Sequence, residues 1–142
     1  MFKTIIVPVD LSDKQSIQVV LPAALNFVKA FNSKIHLVHI MPDFGIKMVE
    51  EYLPRYWMSD QKEKYNKTFE EIIEKYIPEN IQVNFHIGRG AIYDEIINFS
   101  EKLDADLIML SAVRPKLKEY MLGPNASKIV RHSSVSVMVI RD

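Results

Sequence analysis

Asp10 stands directly behind the apolar run Thr4-Ile5-Ile6-Val7-Pro8-Val9. A carboxylate at the mouth of such a run can accept hydrogen bonds from a ribose hydroxyl or an adenine amino group. The structural alternative is a turn residue or helix cap beside Ser12, because aspartate is common at turns. A second stretch, Ser111-Ala112-Val113-Arg114-Pro115 through Leu122-Gly123-Pro124-Asn125-Ala126, joins the end of an apolar run to the start of a helix pattern. Helix starts present free amides and a positive dipole end to anions. Gly123 lets a ligand approach the backbone closely, and Arg114 offers a forked donor to phosphate oxygens. The plain alternative is a helix-start turn at Gly123-Pro124 with a solvated Arg114.

Other chemistry is poorly supported. The four histidines are scattered, and His36 and His39, three apart in a strand, fall on opposite faces, which argues against a metal site. His39 reads as a hydrogen-bonded core residue rather than a base. Gly88-Arg89-Gly90 is too short for a phosphate loop of the Gly-Lys-Ser/Thr kind and lacks its lysine. With no cysteine, the chain has no disulfide framework, thiolate nucleophile or cysteine-based zinc site, as suits a reducing compartment.

The elements that must position these residues follow from periodicity. Thr4–Val9 is nearly continuous in apolar and β-branched residues, as a strand covered on both faces requires. Ser12 with Gln15 reads as a capping box opening a helix through Ile17, Val20, Leu21, Ala24, Leu25 and Val28, with a kink expected at Pro22. Ile35–Ile40 is a second strand ending at Met41-Pro42. From Asp43 to Ser59 the pattern is lost. That segment, with Gly45, Pro54, Tyr52, Tyr56 and Trp57, reads as a long connection with room for a helical turn, its aromatic residues available to cover a base.

Tyr65, Phe69, Ile72, Ile73 and Tyr76 line a second helix stopped by Pro78. Ile81–Ile87 is a third strand, from which Gly88-Arg89-Gly90 turns into a helix with Ile92, Ile96, Phe99 and Leu103 as its buried stripe. Ala105–Ala112 is the fourth strand. Pro124 suits the first position of the last helix, where its missing donor costs nothing, and Val135–Ile140 is the fifth strand. Strands alternating with helices call for an α/β fold with a parallel, doubly wound sheet and helices on both faces, in one domain over residues 1–142. Ligands of such sheets bind beyond the carboxyl ends of the strands, where the winding reverses. If the first and fourth strands flank that reversal, Asp10 and Ser111–Arg114 face one crevice.

Composition narrows the class. The 142 residues are 48% hydrophobic and 25% charged, with 18 basic and 18 acidic side chains in balance. No net field would recruit nucleic acid or an anionic membrane, so any anion site must be local. The opening Met1-Phe2-Lys3-Thr4 carries no signal-peptide pattern, and no apolar stretch approaches the ~20 residues that span a bilayer. The expected location is the cytoplasm.

Three stretches together resemble the universal stress protein family. Lys3-Thr4-Ile5-Ile6-Val7-Pro8-Val9-Asp10-Leu11-Ser12 is similar to that family's first strand and aspartate, and Ile35-His36-Leu37-Val38-His39-Ile40 to its second. The most specific match runs from Asp106-Leu107-Ile108-Met109-Leu110-Ser111 through Arg114-Pro115, Leu122-Gly123-Pro124-Asn125-Ala126 and Val130-Arg131-His132 to Arg141, with details of the F- and G-type branch. The resemblance implies the strand order 3-2-1-4-5 and a bound ATP or AMP, with magnesium as an optional companion. It implies that Pro8, Val9 and Asp10 contact the nucleoside, that Ile40 lines the adenine, that Leu110, Ser111, Ala112 and Val113 cover the sugar, and that Gly123, Pro124, Asn125, Ala126 and Ser127 seat the phosphates, with Arg114 and Lys116 adding charge. It also implies a homodimer through Val135–Ile140, with pairing into tetramers left open, and little or no catalytic turnover.

One departure bears on the site. Relatives that bind ATP carry Gly, two residues, Gly, nine residues, Gly, then Ser or Thr; here Ser111 and Arg114 replace the first two glycines, the spacer is one residue shorter, and Pro124 takes the hydroxyl position. The first two changes and the shortening resemble the F/G branch. Pro124 removes a hydroxyl and a backbone donor, so the expected binding is weakened rather than lost. The alternative is an interaction protein of the same fold that binds no nucleotide. A phospho-receiver would need an aspartate ending the third strand, where Phe85-His86-Ile87 stands. A flavodoxin-like role would need a Ser/Thr-rich loop in place of Leu11-Ser12-Asp13-Lys14.

Overall fold

Strand β1 (Thr4–Pro8) lies at the centre of a five-stranded sheet ordered β3-β2-β1-β4-β5, in a computed structural model that describes residues 1–42, 56–112 and 122–142. The other strands are β2 (Lys34–Pro42), β3 (Val83–Gly90), β4 (Leu107–Ser111) and β5 (Ser136–Ile140), and every pairing is parallel. The described helices are α1 (Lys14–Phe31), α2 (Trp57–Tyr76), α3 (Ile92–Lys102) and α4 (Pro124–His132). This is the doubly wound α/β architecture that the alternation requires, with the winding reversed between β1 and β4.

Period-two geometry sorts the strand residues onto two cores. Ile5, Val7, Ile35, Leu37, Leu107 and Met109 pack against Ile17, Val20, Leu21 and Ala24 of α1 and Phe69 of α2. Ile6, Val38, Ile40, Ile108 and Leu110 face the other way, onto Ile96 of α3 and Ile129 of α4. Ile5, Ile6 and Val7 are wholly inaccessible. A strand covered on both faces cannot alternate with polar residues, which explains its continuous apolar run. Fully burying one such side chain is worth about 1.5–3 kcal/mol, so both layers hold the sheet.

Several local readings are corrected. The first helix is capped by Asp13, whose Oδ1 accepts from the Ser16 amide at 3.1 Å, and not by a Ser12–Gln15 box. Ser12 is held by Asp10 instead, through its amide at 2.9 Å and its hydroxyl at 2.6 Å. The helix runs on through Pro22 to Asn32, which ends it in the left-handed conformation at φ 54° with its amide on the Val28 carbonyl. Trp57–Ser59 belong to the second helix, and the connection read from Asp43 otherwise falls largely at 43–55, outside the described residues.

Gly88-Arg89-Gly90 is strand, paired with Ile40-Met41-Pro42, and the turn into α3 shrinks to Gly90, at φ 135°, and Ala91. Ile92 is exposed rather than part of the buried stripe; it sits in the first turn of α3, and Tyr93 packs inward beside Ile96, Phe99 and Leu103. The fourth strand is shorter than Ala105–Ala112. Ala105 and Asp106 lead into it, and the Asp106 carboxylate accepts the amides of Lys3 and Thr4.

Candidate functional site

The order β3-β2-β1-β4-β5 sets the ends of β1 and β4 side by side, and the residues that follow them occupy the same carboxyl edge of the sheet. The chain leaves β1 under tight control. Val9 is buried, its amide donates to the Val38 carbonyl at 2.9 Å, and its own carbonyl accepts from Nδ1 of His39 at 3.1 Å. The Leu11 amide also lies 3.5 Å from that Nδ1, at the limit of a bond. The shorter contact fixes the proton on Nδ1, so the Leu11 approach is not a hydrogen bond in this tautomer. His39 is buried against Tyr65, its ring centroid 4.5 Å away, as expected of a hydrogen-bonded core residue.

Asp10 then projects as an exposed side chain, with its backbone carbonyl accepting the Asp13 amide at 2.9 Å. Its Oδ1 is committed to Ser12. Its Oδ2 carries no hydrogen bond among the described residues, which leaves one carboxylate oxygen to meet a hydroxyl or amine from outside. Pro8 is half-buried beside it, and Ile40 and Met41 at the end of β2 are buried. The Ile40 side chain is set by its neighbours: a Cβ on Gly88 would lie 2.7 Å from Ile40 Cδ1 and 2.8 Å from Phe99 Cε2, so only glycine leaves room for that packing.

On the β4 side, Leu110 is buried and Ser111 and Ala112 are half-buried, with the Ala112 amide donating to the Ile140 carbonyl at 2.9 Å. Val113 and Arg114, with Lys116, lie outside the described residues. Leu122 is half-buried, and Gly123 caps α4 in an extended conformation with no side-chain hydrogen bond at the cap. Pro124 is the first helical residue, as its missing donor suits.

The first intrahelical bond is Ser127 N to Gly123 O at 2.9 Å, which leaves the Asn125 and Ala126 amides without helix acceptors. The Ser127 hydroxyl donates back to the Leu122 carbonyl at 3.3 Å. The sheet thus brings Pro8, Val9, Asp10, Ile40, Leu110, Ser111 and Ala112 to its carboxyl end, and α4 begins in the connection that follows β4. Among the described residues, the Asn125 and Ala126 amides at the start of α4 suit an anion, and Asp10 Oδ2 suits a hydroxyl or amine.

A family model described as the universal stress protein family matches residues 1–141. The chain belongs to the universal stress protein family. Universal stress protein G of Escherichia coli O157:H7 is 24% identical over 143 residues, covering 99% of this chain and 100% of the relative. Among solved structures, the hypothetical protein MJ0577 superposes with a TM-score of 0.81 at 23% identity, covering 100% of this chain and 97% of that one. The universal stress protein from Archaeoglobus fulgidus in complex with dAMP gives 0.67 at 20% identity, covering 99% of each chain. These likenesses establish the fold of this family member. No helix among its described residues is long and apolar enough to cross a membrane.

His39 is the hydrogen-bonded core residue that the sequence predicts, and its partner, the Val9 carbonyl, is what the sequence does not show; Gly88, predicted as a turn, is a strand residue that shapes this edge. The only sequence signal for the first was its position one residue before Ile40 in a buried strand.

Proposed function

We propose that this chain is a cytoplasmic adenine-nucleotide-binding module of stress response or signalling, taking ATP or AMP, with little or no turnover. The observation that carries the reading is the start of α4: the Asn125 and Ala126 amides have no helix acceptor, and no side chain among the described residues caps them. The dAMP bound by the Archaeoglobus fulgidus relative supports the ligand class. In this reading Asp10 Oδ2 accepts from the ribose, while Pro8, Val9 and Ile40 wall the adenine. Leu110, Ser111, Ala112 and Val113 cover the sugar. Gly123, Pro124, Asn125, Ala126 and Ser127 surround the phosphates, helped by Arg114.

Among the described residues no three His, Asp or Glu side chains converge on a cation position. Magnesium would therefore enter on a triphosphate rather than in a protein cage. Turnover would need a positioned base and a metal clamp, and Asp10, the acid that follows β1, is assigned to the nucleoside. The unpaired side of β5 offers main-chain donors and acceptors to the same strand of a second copy, so the module is proposed to work as a homodimer.

A second reading, an interaction protein of the same fold that binds no nucleotide, is favoured by one feature. Pro124 supplies neither hydroxyl nor amide to the phosphate seat. Mass spectrometry of small molecules released from the purified protein, with calorimetric titration of ATP and AMP, separates the two. Copurified adenylate or a saturable heat supports the first; neither, at millimolar ligand, supports the second. A Pro124→Ser variant should bind ATP roughly 2–10-fold more tightly, the worth of one ordinary hydrogen bond. Unchanged affinity would remove proline from the account.

A further inference from the structure

His36 of β2 and His86 of β3 come from positions 50 residues apart, yet their rings meet, with Nδ1 of His36 2.9 Å from Nε2 of His86. Their centroids are 5.1 Å apart and their planes 28° from parallel. The centroid separation exceeds the nitrogen separation by about two ring radii, so the rings lie nearly end to end. Their facing nitrogens therefore point at each other rather than at a shared third point, as two metal ligands would. This is an N–H···N hydrogen bond, and it needs one donor and one acceptor.

Both rings are half-buried on the α3 side of the sheet, where His86 also lies 5.5 Å from the Phe99 ring. Among the described residues the other charges that act on the pair are cationic: Lys34 from β2 on His36, and Lys102 from α3 on His86. The strand β3 they help to hold is the outer strand of the sheet, bonded only to β2.

We propose that the His36–His86 contact is an acid-sensitive latch that fastens edge strand β3 to the sheet at neutral pH and releases it on acidification. A first proton leaves one facing nitrogen as acceptor, so the bond survives, but it places a cation in a half-buried site near Lys34 and Lys102 and is taken up below the ordinary histidine range. A second makes both facing nitrogens donors, breaks the bond and leaves two imidazolium charges in contact beside two lysines. Burial, then the partner ring and Lys34, lower the pKa of His36; burial, then Lys102, lowers that of His86.

The sign follows from linkage. The unfolded chain takes up protons near pH 6.5, before the folded pair does. The latch therefore stabilises fully above that pH and is lost as pH falls through it towards the depressed folded values. The pair should titrate as a coupled unit with two apparent steps.

The test uses the full chain without nucleotide. Histidine ring resonances followed by NMR from pH 8 to pH 4.5 should show His36 and His86 titrating together, in two steps, below a short-peptide histidine. Urea unfolding at pH 7 and pH 5 should give an unfolding constant that rises roughly tenfold for each unit of depression. In His36→Gln, which keeps a donor and an acceptor but cannot charge, the share of that rise owed to His36 should vanish, leaving the share of His86. Independent titration of the two rings at the peptide value would overturn the latch, and this readout needs no variant to fold. So would a His36→Gln variant that keeps the full pH dependence. A zinc-induced rise in melting temperature at pH 7.5 that His36→Gln abolishes would also overturn it, by making the pair a chelate.

Discussion

Nδ1 of His39 lies 3.1 Å from the carbonyl oxygen of Val9, and this bond ties the end of the second strand to the residue just before Asp10. The imidazole is buried, and its Nε2 has no hydrogen-bond partner among the described residues. An aromatic ring is thus spent on orienting one peptide group, the one that aims the Asp10 carboxylate.

His39→Leu should keep the apolar packing beside Tyr65 and orphan the Val9 carbonyl. Leaving a buried acceptor unpaired costs about 1–3 kcal/mol, offset in part by losing the unpartnered Nε2. Urea unfolding should show a loss of about 1–2 kcal/mol on that scale. No loss at all would mean that the carbonyl finds water instead.

Asp10→Asn tests the two oxygens of one side chain. The amide oxygen can still accept from Ser12, so the melting temperature should stay close to that of the parent protein. Under the nucleotide reading, calorimetry should show AMP binding roughly 10–100-fold weaker, since hydrogen bonds to a charged acceptor are worth about 1.5–3 kcal/mol. Undiminished binding would leave the carboxylate a turn residue only.

Asp13→Ala removes the cap of the first helix. Such caps are worth about 0.5–2 kcal/mol, and the Ser12 hydroxyl is held by Asp10, so it is not free to replace the lost acceptor. Thermal unfolding should register the loss, whereas Asp13→Ser should recover most of it.

Gly88→Ala places a methyl group 2.7 Å from Ile40 Cδ1 and 2.8 Å from Phe99 Cε2. Both side chains must move, at about 1–3 kcal/mol, the usual cost of overpacking. If Ile40 walls the adenine, a Phe99→Leu second change that restores room should recover nucleotide affinity together with stability.

How much of this could be read from sequence depended on how local each decision was. Ile35–Ile40 declared itself through the apolar and β-branched residues around His36 and His39, Pro124 through its fitness for a first helical position, and His39 through sitting in a buried strand. The choice between Ser12 and Asp13 as cap could not be read that way. Both residue types cap well, and the decision is made by Asp10, which captures Ser12 first. Gly88-Arg89-Gly90 misleads because glycines usually mark turns. Here the length of the second strand extends the ladder to Pro42, and the crowding of Ile40 and Phe99 dictates the first glycine. The His36–His86 contact depends on the register of two strands, which no local pattern specifies.

The pairing of Ile5 with Leu107 also sets a schedule for the nascent chain. Once the second strand has left the ribosome, one flank of the first can be satisfied, but the other waits for a partner about a hundred residues downstream. At synthesis rates of about 5–20 residues per second that wait lasts roughly 5–20 s. Through that interval the central strand of the sheet is a raw margin, and chaperone demand during translation should peak there rather than after release.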